Sequence, residues 1–142
     1  MKLIITGKIL AIAIAILGVI HNIATFTPII KGVLTILPPG EMKFMIYANL
    51  MCGSFFIISG ILLLMFLNKL KNYPFLIAPI VFVSSFLLIS GILLIGFSDH
   101  IFENPFACVS VVLNLGMFLI TANLFYKIKF PRESSKWYNC LG

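Results

Sequence analysis

The chain has 142 residues, of which 61% are hydrophobic and 10% are charged. Soluble domains carry about 25% charged residues, so this composition leaves too little polar surface for a water-soluble globule, and the length excludes a second domain of ordinary size. The net charge of +6 does not indicate nucleic-acid binding, because the basic residues lie between apolar runs and form no basic–aromatic patch. One compact domain embedded in the lipid bilayer is predicted.

Four apolar runs follow one another along the chain, and each is long enough to cross a hydrocarbon core of about 30 Å as a helix. Backbone N–H and C=O groups find no partner in lipid, so such runs must be helical. The sequence therefore predicts an all-α fold, an integral membrane four-helix bundle that forms a single transmembrane domain over 1–142. The predicted spans cover about 9–27, 44–67, 75–97 and 105–128.

The connection between the first two spans, residues 28–40, is too apolar for a free loop and is repeatedly interrupted by proline and glycine. We expect it to lie at the membrane interface or over the mouth of the bundle, and to end in a Pro-Pro-Gly turn. The other two connections are short, the first basic and the second acidic. The tail, 129–142, is basic and carries Trp137 and Tyr138, which suit the level of the lipid headgroups.

Basic residues are distributed unequally between the two sides of this four-span topology. Lys31 and Lys43 fall on one side, and the other eight of the ten fall on the opposite side. Those eight are Lys2, Lys8, Lys69, Lys71, Lys127, Lys129, Arg132 and Lys136. Because positive charge marks the cytoplasmic side of a membrane protein, both termini are expected to be cytoplasmic.

An internal repeat joins the second and third spans, because residues 54–66 and 85–97 match at nine of thirteen positions without a gap. Successive spans run in opposite directions, so the two copies would be inverted across the membrane, as in many transporters. The alternative is chance similarity, since a few residue types dominate membrane helices. In both cases small residues recur along the spans, which predicts close packing of helix backbones. These residues are Gly53 and Gly60, Ser84 and Gly91, and, on the first span, Gly7, Ala11 and Ala15.

Polar side chains are concentrated toward the predicted outer ends of three spans. Placing them in lipid is costly unless they face the bundle interior, so we expect them to face one another. One interpretation is packing, since such groups bond across helices and contribute about 0.6 to 2 kcal/mol each. The other is a pocket that opens outward beneath the segment 28–40. The candidate ligand-binding residues are His21, Asn22, Thr25, Asn49 and Asn114.

His21 lies inside a predicted span, where it could accept a proton, bind a quinone or ligate haem. Because His100 falls in a loop, a bis-histidine haem within one chain is not expected. No predicted span contains Asp or Glu, and Cys52, Cys108 and Cys140 form no C-x-x-C pair or zinc pattern, although the first two could meet near the outer face. The sequence thus predicts no catalytic residue, no metal site and no cofactor.

The segment Leu17-Gly-Val-Ile-His-Asn-Ile-Ala-Thr25 resembles the first helix of small bacterial four-helix integral membrane proteins of unknown function. The size and the four-span layout resemble those of DoxX-like proteins. The resemblance implies a multi-pass protein of the bacterial cell membrane and implies no chemistry for His21 or its neighbours.

The function expected is therefore a non-enzymatic scaffold, an accessory subunit or a binder of a small ligand such as a lipid, a quinone or a small polar molecule. The alternative is a membrane enzyme or redox accessory that acts on a lipid or quinone. The expected partners are the lipid bilayer and either a second copy of the chain or other subunits of a membrane complex. Nucleic acid is not expected among them.

Overall fold

The computed structural model describes residues 2–28, 32, 36–97 and 105–129, and this part of the chain contains four long helices and no strand. All four helices are long and apolar enough to cross a membrane. The predicted all-α, four-helix membrane bundle is therefore confirmed. The helices are α1 (Lys2–Thr25), α2 (Pro39–Lys69), α3 (Ile77–Phe97) and α4 (Pro105–Lys129), and a short 3-10 helix (Pro74–Leu76) precedes α3.

α2 begins earlier than the apolar run that predicts it. Pro39 lies in its first turn, where a missing N–H is harmless because the first N–H groups of a helix have no partner within the helix. The N–H of Met42 donates to the carbonyl of Pro38 at 2.9 Å. The expectation of a separate Pro-Pro-Gly turn is therefore wrong, because Pro39 and Gly40 already belong to the helix.

Two helices extend beyond the apolar runs that predict them. α1 begins at Lys2, since a lysine near a helix end can place its apolar stem in lipid and its ammonium group at the surface. α2 has 31 residues and is about 46 Å long at 1.5 Å per residue, which exceeds a hydrocarbon core of about 30 Å. α2 is therefore longer than a straight crossing of the hydrocarbon core requires, and it can accommodate the excess by tilting or by extending beyond the core.

Some predicted features fall largely outside the described residues. Residues 29–31 and 33–35 of the segment 28–40 are among them, as are the acidic connection before α4 and the tail beyond Lys129. Their positions at the membrane surface, and the cytoplasmic location of both termini, stay predictions.

Buried residues recur at alternating intervals of three and four along every helix, which is the pattern of left-handed helix packing. Each helix turns a narrow stripe inward and presents its other, mostly apolar, faces to the outside. The spacing of seven between small residues in the sequence is one part of this pattern. The buried stripes are Gly7, Ala11, Ile14 and Gly18 on α1; Gly53, Phe56, Gly60, Leu63 and Leu67 on α2; Ile77, Ile80, Ser84, Leu87 and Gly91 on α3; and Ala107, Ser110, Asn114, Met117, Thr121 and Leu124 on α4.

α1 packs most extensively on α2, α3 packs on α4, and α1 also lies against α4. The backbones of α1 and α2 meet where Gly18 faces Gly53, because a Cβ on Gly18 would lie 2.5 Å from the Gly53 carbonyl oxygen. Further along, a Cβ on Gly60 would lie 2.6 Å from the carbonyl oxygen of Ala11. Glycine at these positions lets the two backbones touch, and any side chain would force them apart.

Polar groups join α3 to α4. The hydroxyl oxygens of Ser84 and Thr121 lie 2.7 Å apart, and Nδ2 of Asn114 donates to the carbonyl of Leu87 at 3.1 Å. A Cβ on Gly91 would meet no atom closer than 3.6 Å, so this contact leaves room for a methyl group. The second copy of the repeat therefore packs less tightly than the first.

The orientation of the bundle can be tested by labelling single cysteines from outside intact cells. A variant without the three native cysteines would carry either Lys71→Cys, in the turn after α2, or Glu103→Cys, in the connection before α4. Because the predicted topology places position 71 inside, we expect an impermeant thiol reagent to label position 103 alone. Permeabilised cells, in which both positions should react, are the control. Labelling of position 71 without position 103 would refute the orientation.

Candidate functional site

His21 and Asn22 lie near the C-terminal end of α1 and contact α2. The His21 ring lies beside the backbone of Asn49, and Nδ2 of Asn22 donates to Oγ of Ser54 at 3.4 Å. The two contact points on α2 are thus about one and a half turns apart. We call these four residues the α1–α2 polar cluster.

Gly53 makes room for the amide of Asn22. A Cβ at Gly53 would overlap the Oδ1 atom of Asn22, and it would also lie 2.9 Å from the carbonyl oxygen of Gly18. The amide therefore rests directly on the backbone of α2. The sequence marks Gly53 only as a helix contact, through its spacing of seven from Gly60, and gives no sign that it shapes the surroundings of Asn22.

Two atoms of the cluster are buried and have no hydrogen-bond partner within the described part of the chain, namely Nε2 of His21 and Oδ1 of Asn22. A buried polar atom that stays unpaired costs about 1 to 3 kcal/mol. Native proteins contain few such atoms, and each calls for an explanation such as a bound water, ion or ligand. Here the two atoms belong to neighbouring residues.

Thr25 and Asn49 support the cluster through the main chain. Thr25 is buried, and its hydroxyl donates to the carbonyl of His21 within α1 at 3.0 Å. Asn49 is half-buried and offers its backbone to the His21 ring. The first of these contacts stabilises the last turns of α1, and the second fixes the ring against α2.

Asn114 belongs to the contact between α3 and α4. Its side chain is 1% exposed, and its one hydrogen bond among the described residues goes to Leu87 of α3. Its Oδ1 atom is unpaired there, as is Oγ of Ser110 one turn away on the same helix. Asn114 therefore resembles Asn22 in having a free amide oxygen, but it is held by different helices.

Asn114 also lies at a different depth. α1 and α4 pack against each other where Leu10 approaches Gly116, and the helices run in opposite directions, so Asn114 is level with about Ile12. Asn22 is ten residues further along α1, which is about 15 Å at 1.5 Å per residue. The structure thus brings His21, Asn22 and Asn49 together and separates Asn114 from them.

Charged groups are sparse near the cluster. Glu41 is the one carboxylate among the described residues, and it precedes Asn49 by eight residues, about 12 Å along α2. The described residues contain no group of three His, Cys, Asp or Glu side chains that could hold a metal ion. Cys52 lies on the exposed side of α2, and neither Cys52 nor Cys108 forms a disulfide within the described part of the chain. Among the described residues the nearest charged group along α2 is Lys43, about 9 Å before Asn49, so the cluster offers hydrogen bonds with no charged group of this part of the chain in direct contact.

When this chain is compared with protein-family models, curated proteins and solved structures, none of them matches it. The resemblance to DoxX-like proteins stays a hypothesis that depends on the first helix, the size and the layout.

Proposed function

We propose that this membrane protein binds a small molecule between α1 and α2, at the α1–α2 polar cluster, and catalyses no reaction on it. The observation that carries the proposal is the pair of buried and unpaired atoms, Nε2 of His21 and Oδ1 of Asn22. A molecule that bonds to these atoms recovers the free energy that their burial costs. The proposal therefore favours a ligand binder over a scaffold or an accessory subunit.

Packing alone accounts less well for the cluster. Polar side chains that fix helix contacts in membranes do so by bonding to each other, as Ser84 and Thr121 do between α3 and α4. His21 and Asn22 also bond to α2, but each keeps one further polar atom buried and unpaired. Asn114 and Ser110 on α4 also keep buried, unpaired atoms, so the feature that distinguishes the cluster is that its two unpaired atoms belong to adjacent residues near the end of α1.

The position of the cluster favours a ligand that comes from the membrane interface. Asn22 precedes the end of α1 at Thr25 by three residues, which is about 5 Å along the helix. An amphipathic molecule can place a polar group at this level and leave its apolar part in lipid. In the predicted topology this end of the bundle faces outward.

Native mass spectrometry tests the proposal. The protein is purified in a mild detergent, incubated with the total lipid extract of the membranes that produced it, and transferred intact to the gas phase. We expect the wild-type protein to retain a small molecule and the His21→Phe and Asn22→Leu variants to lose it. Both substitutions remove an unpaired acceptor and preserve much of the side-chain volume.

Asn123→Leu is the matched control. This amide is exposed on α4 and donates to the carbonyl of Leu119 in its own helix, so its loss should leave the bound molecule in place. The helical circular dichroism of all variants shows whether the bundle is intact. Retention of the same molecule by every folded variant, or its absence from the wild-type protein, would contradict the proposal.

A further inference from the structure

We infer that the ligand is an uncharged molecule with hydroxyl donors, preferably two, and that the site discriminates against molecules that only accept hydrogen bonds. The inference rests on the proposed function and adds the chemical class of the ligand. It follows from the kind of atom that each residue of the cluster leaves free.

The free atom of Asn22 can only accept. A primary amide has a carbonyl oxygen that accepts and an NH₂ group that donates. The NH₂ group is the part that bonds to Ser54, at 3.4 Å, and the oxygen is the part that is buried without a partner. A ligand must therefore bring a donor to this position.

The free atom of His21 accepts for a different reason. Nε2 of His21 is buried and has no partner within the described part of the chain. The ring lies beside the backbone of Asn49, where the carbonyl is the group that can take a proton from Nδ1, since the N–H of a helical residue bonds to the carbonyl four residues earlier. A neutral imidazole that is protonated at Nδ1 has a lone pair at Nε2.

Charge excludes two other classes of ligand. An anion would place negative charge against two acceptors. A cation would meet no close countercharge among the described residues, where Glu41 is the one carboxylate and lies about 12 Å from Asn49 along α2. An unpaired charge in a bilayer is costly. The remaining class is a neutral molecule that donates hydrogen bonds. Two hydroxyl groups would satisfy both acceptors, Nε2 of His21 and Oδ1 of Asn22.

Such hydroxyl groups have two sources in a membrane, the glycerol end of a lipid and a free aromatic diol. Matched pairs of probes distinguish them. Hexylcatechol is compared with its dimethyl ether, and octanoylglycerol with its dimethyl ether, by calorimetric titration into the full-length protein in a mild detergent. Methylation keeps each oxygen as an acceptor, removes its ability to donate and adds the volume of one methyl group.

We expect at least one diol to bind about tenfold or more tightly than its ether, because the ether leaves buried acceptors unpaired. A preference within the glycerol pair alone identifies a lipid, and a preference within the catechol pair alone identifies an aromatic diol. If the ethers bind as tightly as the diols, the inference fails while the site itself stands. The inference also fails if native mass spectrometry detects a retained molecule but none of the four probes binds. If no probe binds and no molecule is retained, the proposed function itself is overturned.

The variants connect the preference to the two atoms. Asn22→Leu and His21→Phe should each reduce the ratio between diol and ether affinity, and the double variant should bring it close to one. Asn123→Leu should keep the wild-type ratio. Because each single substitution reports independently, the inference can be tested even if one of the variants fails to fold. A folded double variant that keeps the full preference would overturn it.

Discussion

Replacing Gly60 with leucine is expected to destabilise the bundle by about 3 kcal/mol, at the upper end of the usual effect of overpacking. A Cβ at this position would lie 2.6 Å from the carbonyl oxygen of Ala11 and 2.7 Å from the backbone nitrogen of Ala15. Backbone atoms cannot move aside as the end of a flexible side chain can. α1 and α2 must therefore separate along much of their contact.

The matched control for this change lies at the equivalent position of the repeat. Alanine at Gly60 meets the same backbone atoms, whereas alanine at Gly91 would find its nearest neighbour, Nδ2 of Asn114, at an ordinary 3.6 Å. Unfolding by increasing fractions of SDS in mixed micelles, followed by helical circular dichroism, measures both variants. We expect Gly60→Ala to lower the stability and Gly91→Ala to leave it nearly unchanged. Equal effects would show that the two glycines have equivalent surroundings.

Leu63→Ala should cost about 2 kcal/mol, the low end of the range for buried leucines. Leu63 is 0% exposed and belongs to the central apolar core. Lipid tails are about as apolar as a leucine side chain, so moving Leu63 between lipid and protein contributes little. The expected loss of stability arises instead from the cavity that the truncation leaves, because the side chains around it lose their dispersion contacts with Leu63.

Leu119→Ala on α4 is the comparison for this change. Leu119 is 53% exposed and points away from the core, so its truncation removes contacts with lipid and leaves no cavity. The same SDS titration should show an effect within about 0.5 kcal/mol, as is usual for surface substitutions. A cost at Leu119 as large as that at Leu63 would mean that its face contacts another protein surface in micelles.

The number and type of the helices can be predicted from the sequence because lipid allows little else. An apolar run of span length must satisfy its backbone internally, and that requirement holds without any knowledge of tertiary contacts. The helix boundaries are less predictable. The polar start of α1 at Lys2 and the proline at Pro39 interrupt the apolar pattern, but neither prevents helix formation at an N-terminal turn.

The rotation of each helix is only partly encoded in hydrophobicity. Inward and outward faces are both largely apolar in a membrane protein, so the buried stripe is marked by small residues on α1 and α2 and by polar residues on α4. The spacing of Gly53 and Gly60 therefore identifies the buried face of α2, whereas nothing in the sequence tells that Gly60 touches backbone and Gly91 does not. That difference depends on the distance between helices.

The candidate site shows the same limit. The backbone of Asn49 lies beside His21, next to Asn22, because α1 and α2 are consecutive and antiparallel. That these residues form a ligand site stays a prediction. Asn114 is instead held against Leu87 of α3. The position of Asn114 relative to the polar cluster depends on which helices are neighbours and on how far α4 is displaced along α1. Neither can be read from the sequence of one helix.

The largest helix contact joins α1 to α2, and α3 in turn packs on α4. Both contacts join helices that are consecutive in the chain, so little conformational entropy is lost in closing the intervening loop. Each pair is expected to form a helical hairpin soon after its second helix has entered the bilayer. Because α1 and α2 are synthesised first, their glycine-packed hairpin is expected to form before the hairpin of α3 and α4, which then packs on the exposed side of α1. The contacts between the two hairpins, of α1 with α4 and of α2 with α3, are therefore expected to form after the hairpins themselves.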